Sequence, residues 1–418
     1  MYPSFFIACL LNNIFIFLNY MYQIAIPSLS RSKLLKEQTK TTLQIHNIPI
    51  SQITIFVVEN EYEEYKNLFP NYKIVVGVLG LIKQKEFIET YYPVDTNILF
   101  LDDDIQAIDL DTFGNLDLDE FIQLAFNECR NRKSYIWSIY PVWNKFFREN
   151  KTLSTSLKFC IGGFTGIINR KDNPKITCSH REDVERSIKY FMRDGIVLRF
   201  NNVGYKTKFY NQGGLGLLKD RLDIIEKDVT YFSQVYSIFG TVNKKKEYLD
   251  FKLKNIPANT PIQIPIDPAE LSVLYSMLEQ ISIPFLHITK NRRGFKLHRA
   301  ITLGLTKARF KRIVGLSYQS KKYPQLYDEV VRIGNLLNFE FTSIHCNHNV
   351  ICPKHKDNNN KGNSLLLSFG EYTGGNIMIE DKKYDANCNA IIFNGSLLEH
   401  WNTDDLVGNK YSLVYYNF

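Results

Sequence analysis

Between Pro353 and Asn376 the chain reads PKHKDNNNKGNSLLLSFGEYTGGN, which places His355 and Asp357 one residue apart ahead of a hydrophobic run. Residues i and i+2 of an extended segment point to the same side, so the pair can offer an imidazole and a carboxylate to one ligand. A second imidazole stands at His400, in NGSLLEHWNT, after the apolar run NAIIFN. Two imidazoles and one carboxylate on one face, with the other positions open, are the donor set of a non-haem Fe(II) centre that takes 2-oxoglutarate and O2. Lys410, in GNKYSLVYY, opens a later strand and could pair with the far carboxylate of 2-oxoglutarate, and Ser412 on the same face could add a hydrogen bond. Zinc competes for this stretch, because CNHNVICPKH spaces Cys346, His348, Cys352 and His355 as in a small knuckle. Zinc there would leave Asp357, His400 and Lys410 without a shared explanation, so iron is preferred and the cysteines are read as small buried apolar residues. Taken alone, His400 would be read as a satisfied structural histidine; the constellation reverses that.

A second cluster lies far upstream, in ILFLDDDI, where Asp102, Asp103 and Asp104 follow an apolar strand. Mg2+ or Mn2+ needs hard oxygen ligands and gains from substrate phosphates, which a strand-end Asp-x-Asp can arrange. A solvated turn accounts for the triplet equally well. Downstream, SHREDVERSIKYFMRDG offers Glu182 and Asp183 as carboxylates for an acceptor base, although acids also favour a helix N-terminus. The stretch DLDTFGNLDLDE, from Asp109 to Glu120, partly matches a calcium loop but fails at Phe113. YNQGGLG is either a loop that closes over a diphosphate or a plain turn.

The elements that must position these residues follow from the hydrophobic pattern. From Tyr22, apolar runs of strand length (YQIAIPS, ITIFVVE, KIVVGV, NILFL) alternate with amphipathic segments (SKLLKEQTKTTLQIH, NEYEEYKNLFP, LIKQKEFIETYY), the mark of βαβ units on a parallel sheet. Ligands of such a sheet bind at the carboxyl ends of its strands. Ser28, Ser30 and Arg31, then Glu59, then the Asp triplet should therefore converge. Lys244 to Lys246 and the prolines of NIPANTPIQIPIDP read as an extended linker over 255–268. Beyond it come two helices and then short strands with Gly and Asn turns, as in a β sandwich or jelly roll. The expected organisation is a 1–20 extension, an α/β domain over 21–254, the linker, and a strand-rich domain over 269–418.

At 418 residues, two domains are expected, and a net charge of +8 mildly favours an anionic partner. Seven scattered cysteines argue for a reducing compartment, hence cytoplasm or nucleus. Ser4 to Leu18, SFFIACLLNNIFIFL, is short for a membrane span, is interrupted by Asn12 and Asn13, and lacks a basic n-region and a cleavage site. An extension upstream of a start at Met21 is preferred to a signal anchor, and residues 1–20 leave membrane or secretory targeting open.

Residues 22 to about 220, through AIPSLSR, KEQTKTTLQ, ITIFVVENEYEEY, ILFLDDDI, HREDVERS with RDG, and NQGGLG in that order, resemble the glycosyltransferase family found beside TET/JBP-type dioxygenases. The resemblance implies a GT-A-like (Rossmann-like) fold and glycosylation of hydroxylated pyrimidines in DNA. It implies that Asp102 and Asp104 hold the metal and a nucleotide-sugar such as a UDP-sugar, with Glu59 nearer the base, Arg31 near the phosphates and Asp183 as acceptor base. Residues from about 290 to 418 are similar to the 2-oxoglutarate and Fe(II)-dependent dioxygenases, with a TET/JBP-like layout, which implies a double-stranded β-helix (jelly roll). Lys410 stands where that family has an arginine, and lysine lacks the bidentate fork. KNRRGFK, with Arg292, Arg293 and Lys296, is either a contact to substrate phosphates or a solvated basic turn.

Together these imply a bifunctional enzyme that oxidises a pyrimidine methyl group, of thymine or 5-methylcytosine, and glycosylates the resulting hydroxymethyl. Its partners would be a nucleotide-sugar donor and DNA, with no obligate protein partner. The alternative is a protein side-chain hydroxylase and glycosyltransferase acting on lysine or proline, and a third possibility is a binding protein with decayed sites.

Overall fold

The computed structural model describes residues 21–110, 116–148, 151–208, 214, 216–281, 283, 299–307 and 314–418. The chain divides into two units: residues 1–187, 197–234 and 240–255 form one, and residues 188–196, 235–239 and 256–418 form the other.

The first unit is built on the apolar runs. Strands β1 (Tyr22–Pro27), β2 (Ile53–Val57), β3 (Lys73–Val76) and β4 (Asn97–Leu101) run parallel in the order β3-β2-β1-β4. Both β2 and β4 are buried at every position, as strands covered on both faces must be. Strands β5 (Ala107–Asp109), β6 (Ile136–Tyr140), β7 (Leu153–Ser154), β8 (Phe164–Ile168) and β9 (Leu198–Lys206) extend this into a nine-stranded mixed sheet, continuing β4-β8-β6-β9-β5 with β7 against β9. Because β1 lies between β2 and β4, the strand order reverses beside it, and a crevice opens there at the strands' carboxyl ends. A hairpin of β10 (Gly240–Lys244) and β11 (Leu249–Leu253) follows.

The amphipathic stretch after β1 is two helices, Ser32–Glu37 and Thr39–Ile45, broken at Gln38. The break has a use: Thr39 Oγ1 donates to the Asp102 carbonyl and accepts from Ile105 N, both at 2.8 Å, while Thr42 Oγ1 donates to the Ile105 carbonyl at 2.9 Å. These hydroxyls clamp the turn that carries the acidic triplet. Part of the calcium-like stretch serves as a capping box, with Asp117 and Glu120 exchanging hydrogen bonds at the start of helix Leu118–Arg132.

In the second unit β12 (Ile262–Pro265), β13 (Arg299–Lys307), β14 (Val314–Leu316), β15 (Ser343–His348) and β16 (Ser364–Thr373) are joined by β17 (Ile377–Ile379), β18 (Lys382–Tyr384), β19 (Asn389–Phe393), β20 (His400–Asn402) and β21 (Val407–Tyr416). Among the described residues they form a seven-stranded antiparallel sheet, β12-β19-β16-β21-β15-β13-β14, and a three-stranded one, β18-β17-β20. Leu366, Ile391 and Phe393 of the larger sheet share one apolar cluster with Ile377 and Ile379 of the smaller, and Val414 packs against it. Residues 255–268 are more than a connection, because Ile262–Pro265 pairs with β19. Proline is tolerated there since β12 is the edge of its sheet.

Candidate functional site

His355 and His400 face each other across an antiparallel bridge, exchanging N–H to carbonyl hydrogen bonds of 3.0 Å in both directions. Asp357 is fixed on the same side by its own N–H, which donates to the Gly395 carbonyl at 2.8 Å. His355 Nε2 lies 3.7 Å from Asp357 Oδ1 and His400 Nε2 3.6 Å from Asp357 Oδ2, with the imidazole centroids 4.3 Å apart. His355 Nδ1 is 2.7 Å from the Pro353 carbonyl and His400 Nδ1 3.0 Å from the Leu398 carbonyl. A carbonyl only accepts, so each Nδ1 carries a proton and each ring turns its Nε2 edge toward Asp357. This is the outer-shell arrangement that prepares imidazoles for a metal. Burial opposes ionisation of Asp357, but the His400 side-chain hydrogen bond and the neighbouring His400, His355 and His345 rings outweigh it and hold the carboxyl below its usual range. Among the described residues, these three are the group of three or more His, Cys, Asp or Glu side chains whose ligand atoms lie close enough together to hold a metal ion. His400 is almost closed off while His355 and Asp357 keep about a quarter to a third of their side-chain surface (26% and 34%), so the triad opens on that side.

Lys410 is buried, with Nζ donating to the Gly375 carbonyl and lying 5.3 Å over the Tyr372 ring. The Gly375 carbonyl also accepts from Asn402 Nδ2 at 3.2 Å. Asn402 lies two residues beyond His400 on β20, about 7 Å along the strand, so the amine is tied to the strand that carries His400. Burial lowers the Lys410 pKa to about 8. Ser412 follows on the same face of β21, opposite Ser368 and Asn347 in register.

The zinc alternative is not assembled. Cys346 is fully buried and its thiol is pushed up to about 12 by burial, while His348 stacks on Tyr411 at 4.6 Å and pairs with Asn409 Oδ1 at 2.5 Å.

In the first unit Ser28, Arg31 and the triplet converge. Asp103 Oδ2 accepts from Ser28 Oγ at 2.6 Å, and Arg31 Nη1 donates to Asp103 Oδ1 at 3.1 Å and to Asp104 Oδ2 at 3.2 Å. Thr207 Oγ1 donates to Asp104 Oδ1 at 2.8 Å. Burial first, then repulsion from Asp104, Asp103 and Glu182, raises Asp102 to about 7 against the pull of Lys85. A divalent cation would relieve that repulsion. Beside the triplet is a cleft of about 300 Å3 lined by Ser28, Arg31, Val78, Gln84 and Thr207. Glu59 is exposed and does not line it; Glu61 instead receives Ser30 N and Oγ at 2.9 and 2.7 Å.

Glu182 and Asp183 are separated in role by their surroundings. Glu182 is locked between the Lys85 ammonium and Arg186 Nε, the latter at 3.1 Å. Burial works against its charge, but Lys85 and Arg186 hold its pKa at about 2. Asp183 is raised to about 6 by burial and by the neighbouring Glu182 charge. A Cβ on Gly162 would come within 2.6 Å of Glu182 Oε1, and one on Gly163 within 2.5 Å of Asp102 Oδ2. This glycine pair, Thr39, Lys85 and Arg186 are site-building residues that sequence reading missed. Only the GG dipeptide after an apolar stretch offered a local signal.

Residues 1–20, Phe113, Arg292, Arg293 and Lys296, and all of YNQGGLG but Gly214 and Gly216, lie outside the described residues. Among the described residues no helix is long and apolar enough to cross a membrane.

No family model and no curated protein matches this sequence. Solved structures with which it shares similarity include NgTET1 in complex with 5mC DNA, at 15% identity over 38% of this chain and 71% of that one, with a TM-score of 0.27. S. aureus TarS 1-349 in complex with UDP-GlcNAc is 13% identical over 51% of this chain and 66% of that one, just under two thirds of its length, with a TM-score of 0.36. An oxidoreductase of the 2OG-Fe(II) oxygenase family from Burkholderia pseudomallei is 15% identical over 37% of this chain and 82% of that one, with a TM-score of 0.27. At such scores these likenesses carry no functional weight.

Proposed function

We propose that the chain is a bifunctional DNA base hypermodification enzyme, with a GT-A-like glycosyltransferase domain over 21–254 and a double-stranded β-helix dioxygenase domain over 269–418. The observation that carries the oxygenase half is the His355–Asp357–His400 triad, with both Nε2 atoms turned toward Asp357 and each Nδ1 held by a backbone carbonyl. Bound Fe(II), with 2-oxoglutarate and O2, supplies oxidation of a C–H bond to an alcohol with release of succinate and CO2. The two imidazoles and Asp357 hold the metal, and Lys410, with Ser412 beside it, takes the far carboxylate of 2-oxoglutarate. A point-charge ammonium serves that end with less geometric specificity than a guanidinium.

In the first domain Asp102 and Asp104 hold Mn2+ or Mg2+ with the nucleotide-sugar, and Arg31 balances charge beside the phosphates. Asp183 takes the proton of the acceptor hydroxyl as its oxygen bonds to the sugar carbon and the nucleoside diphosphate departs. Glu182 keeps Lys85 and Arg186 in place beneath it. The substrate is a pyrimidine methyl group, which becomes the hydroxymethyl acceptor; the family resemblance and the net charge of +8 support DNA as the polymer. In a duplex that base must leave the stack.

The test is incubation with Fe(II), 2-oxoglutarate and either DNA or a lysine- and proline-rich peptide, followed by addition of a UDP-sugar. Succinate release and stepwise mass gain on DNA are expected; modification of the peptide alone would refute the DNA assignment.

A further inference from the structure

The turn that follows β3 exposes apolar side chains at the cleft beside the acidic triplet. Val78 is 39% exposed and Leu79 68%, and both line the cleft together with Leu29 and Val58. Gly80, at φ 100°, takes a left-handed conformation that favours glycine. It turns the chain into helix Leu81–Tyr91, where the Gln84 N–H donates to the Gly80 carbonyl at 2.8 Å. The first helical turn thereby lays the Gln84 side chain against the loop, and only 5% of the residue stays exposed. Gln84 Oε1 accepts from Val78 N at 2.7 Å, which fixes the orientation of the amide and leaves Nε2 as its other end. A Cβ on Gly77 would overlap Gln84 Oε1, so this glycine makes room for the amide.

Among the described residues Gln84 Nε2 has no acceptor, and Gln84 lines the cleft. A buried donor without an acceptor is costly, and a ligand carbonyl that reaches it removes the cost. Arg31, Arg221 and the acidic triplet line the same cleft and suit a diphosphate with its cation. Asp183, the proposed acceptor base, is not part of that lining, so the cleft belongs to the sugar donor rather than the acceptor. With the phosphates at the charged groups, the apolar lining is left to the base. A cleft of about 300 Å3 is at the small end of ligand sites, which favours one ring over two. C4 of a pyrimidine lies opposite its glycosidic nitrogen, so the group on C4 is the one that meets the inner wall. That group is a carbonyl in uracil and an amine in cytosine, and an amide N–H pairs with the first and repels the second.

We infer that Gln84 selects the base of the nucleotide-sugar, its Nε2 donating to the 4-carbonyl of uracil. This rests on the nucleotide-sugar reading proposed above. The test measures binding of UDP, CDP, ADP and GDP, each with Mn2+, to the full chain by isothermal titration calorimetry. UDP should bind tightest, exceeding CDP by about tenfold. Gln84→Leu should erase that ratio, and Gln84→Glu, which sets an acceptor where the donor stood, should reverse it. Gly77→Ala, whose Cβ displaces the amide, should shrink it as well. Both affinities in a ratio are read on the same folded fraction, so partial loss of folded protein does not move it. Equal affinity for UDP and CDP, tighter binding of a purine diphosphate, or an unchanged ratio in Gln84→Leu overturns this inference and leaves the nucleotide-sugar reading standing. Binding of none of the four by the wild-type chain overturns both.

Discussion

Two backbone carbonyls, of Pro353 and Leu398, decide what His355 and His400 can do, because they fix the tautomer of each ring. Lys410 is the residue whose chemistry departs most from its solution behaviour. Burial lowers its pKa from 10.5 to about 8, so the unfolded chain binds more protons between those values and stability rises with pH through that window. Below about 8 the whole desolvation penalty is present. If Lys410 pairs with 2-oxoglutarate as proposed, it must do so as the ammonium, and turnover should fall as pH rises through about 8. Lys410→Met should abolish that turnover yet raise Tm at pH 7 by a few degrees (about 2–4 °C per kcal/mol), since the Gly375 carbonyl keeps Asn402 Nδ2. A lower Tm would show that the amine is a structural tie. Asp183, raised to about 6, must be ionised to accept a proton. Sugar transfer should therefore fall about tenfold per pH unit below 6, and Asp183→Asn should remove that limb together with most of the rate. Persistence of the limb in the variant would assign it elsewhere.

At the scale of elements, the acidic turn after β4 is held by groups from distant segments: Thr39 and Thr42 of the second helix, Ser28 at the end of β1, and Thr207 after β9. Beneath it, helix Leu81–Tyr91 contributes Lys85 and Glu89, and Glu182 and Arg186 complete a buried network, with Arg186 Nη1 3.0 Å from Glu89. Breaking such a network by removing one charge leaves its partners uncompensated. Glu182→Gln should cost about 3–5 kcal/mol of stability, measurable as a shift of the denaturant midpoint, with a loss of transfer rate only as the fold weakens. A stable variant with no transfer would instead make Glu182 a participant in the chemistry. The apolar runs in SLLLSFG, NAIIFN and GNKYSLVYY all appear as strands, bounded at Ser364–Thr373, Asn389–Phe393 and Val407–Tyr416. Their alternating or continuous apolar patterns were legible because half-buried and fully buried strands impose them. The edge strand Ile262–Pro265 was hidden by its prolines, which periodicity reads as a break.

For the whole molecule, two sites of different chemistry lie on different units, and their activities should be separable. His355→Ala should eliminate succinate release while leaving nucleotide-sugar hydrolysis within about twofold, and Asp104→Ala should do the reverse; loss of both activities in either variant would argue against independent sites. The sequence alone determined the donor types and their order along the chain: His-x-Asp, a later histidine, and a strand-end acidic triplet. These are local, since spacing and strand period set which side chains share a face. Tertiary structure decided which of them are free to act. In sequence Glu182 looks as suitable as Asp183, and Glu59 as suitable as any strand-end acid, but a helical turn leaves Glu59 exposed and Lys85, 97 residues from Glu182, commits that carboxylate to an ion pair. Proton position, burial and pairing depend on groups brought together from far apart in the chain, and only folding brings them within range.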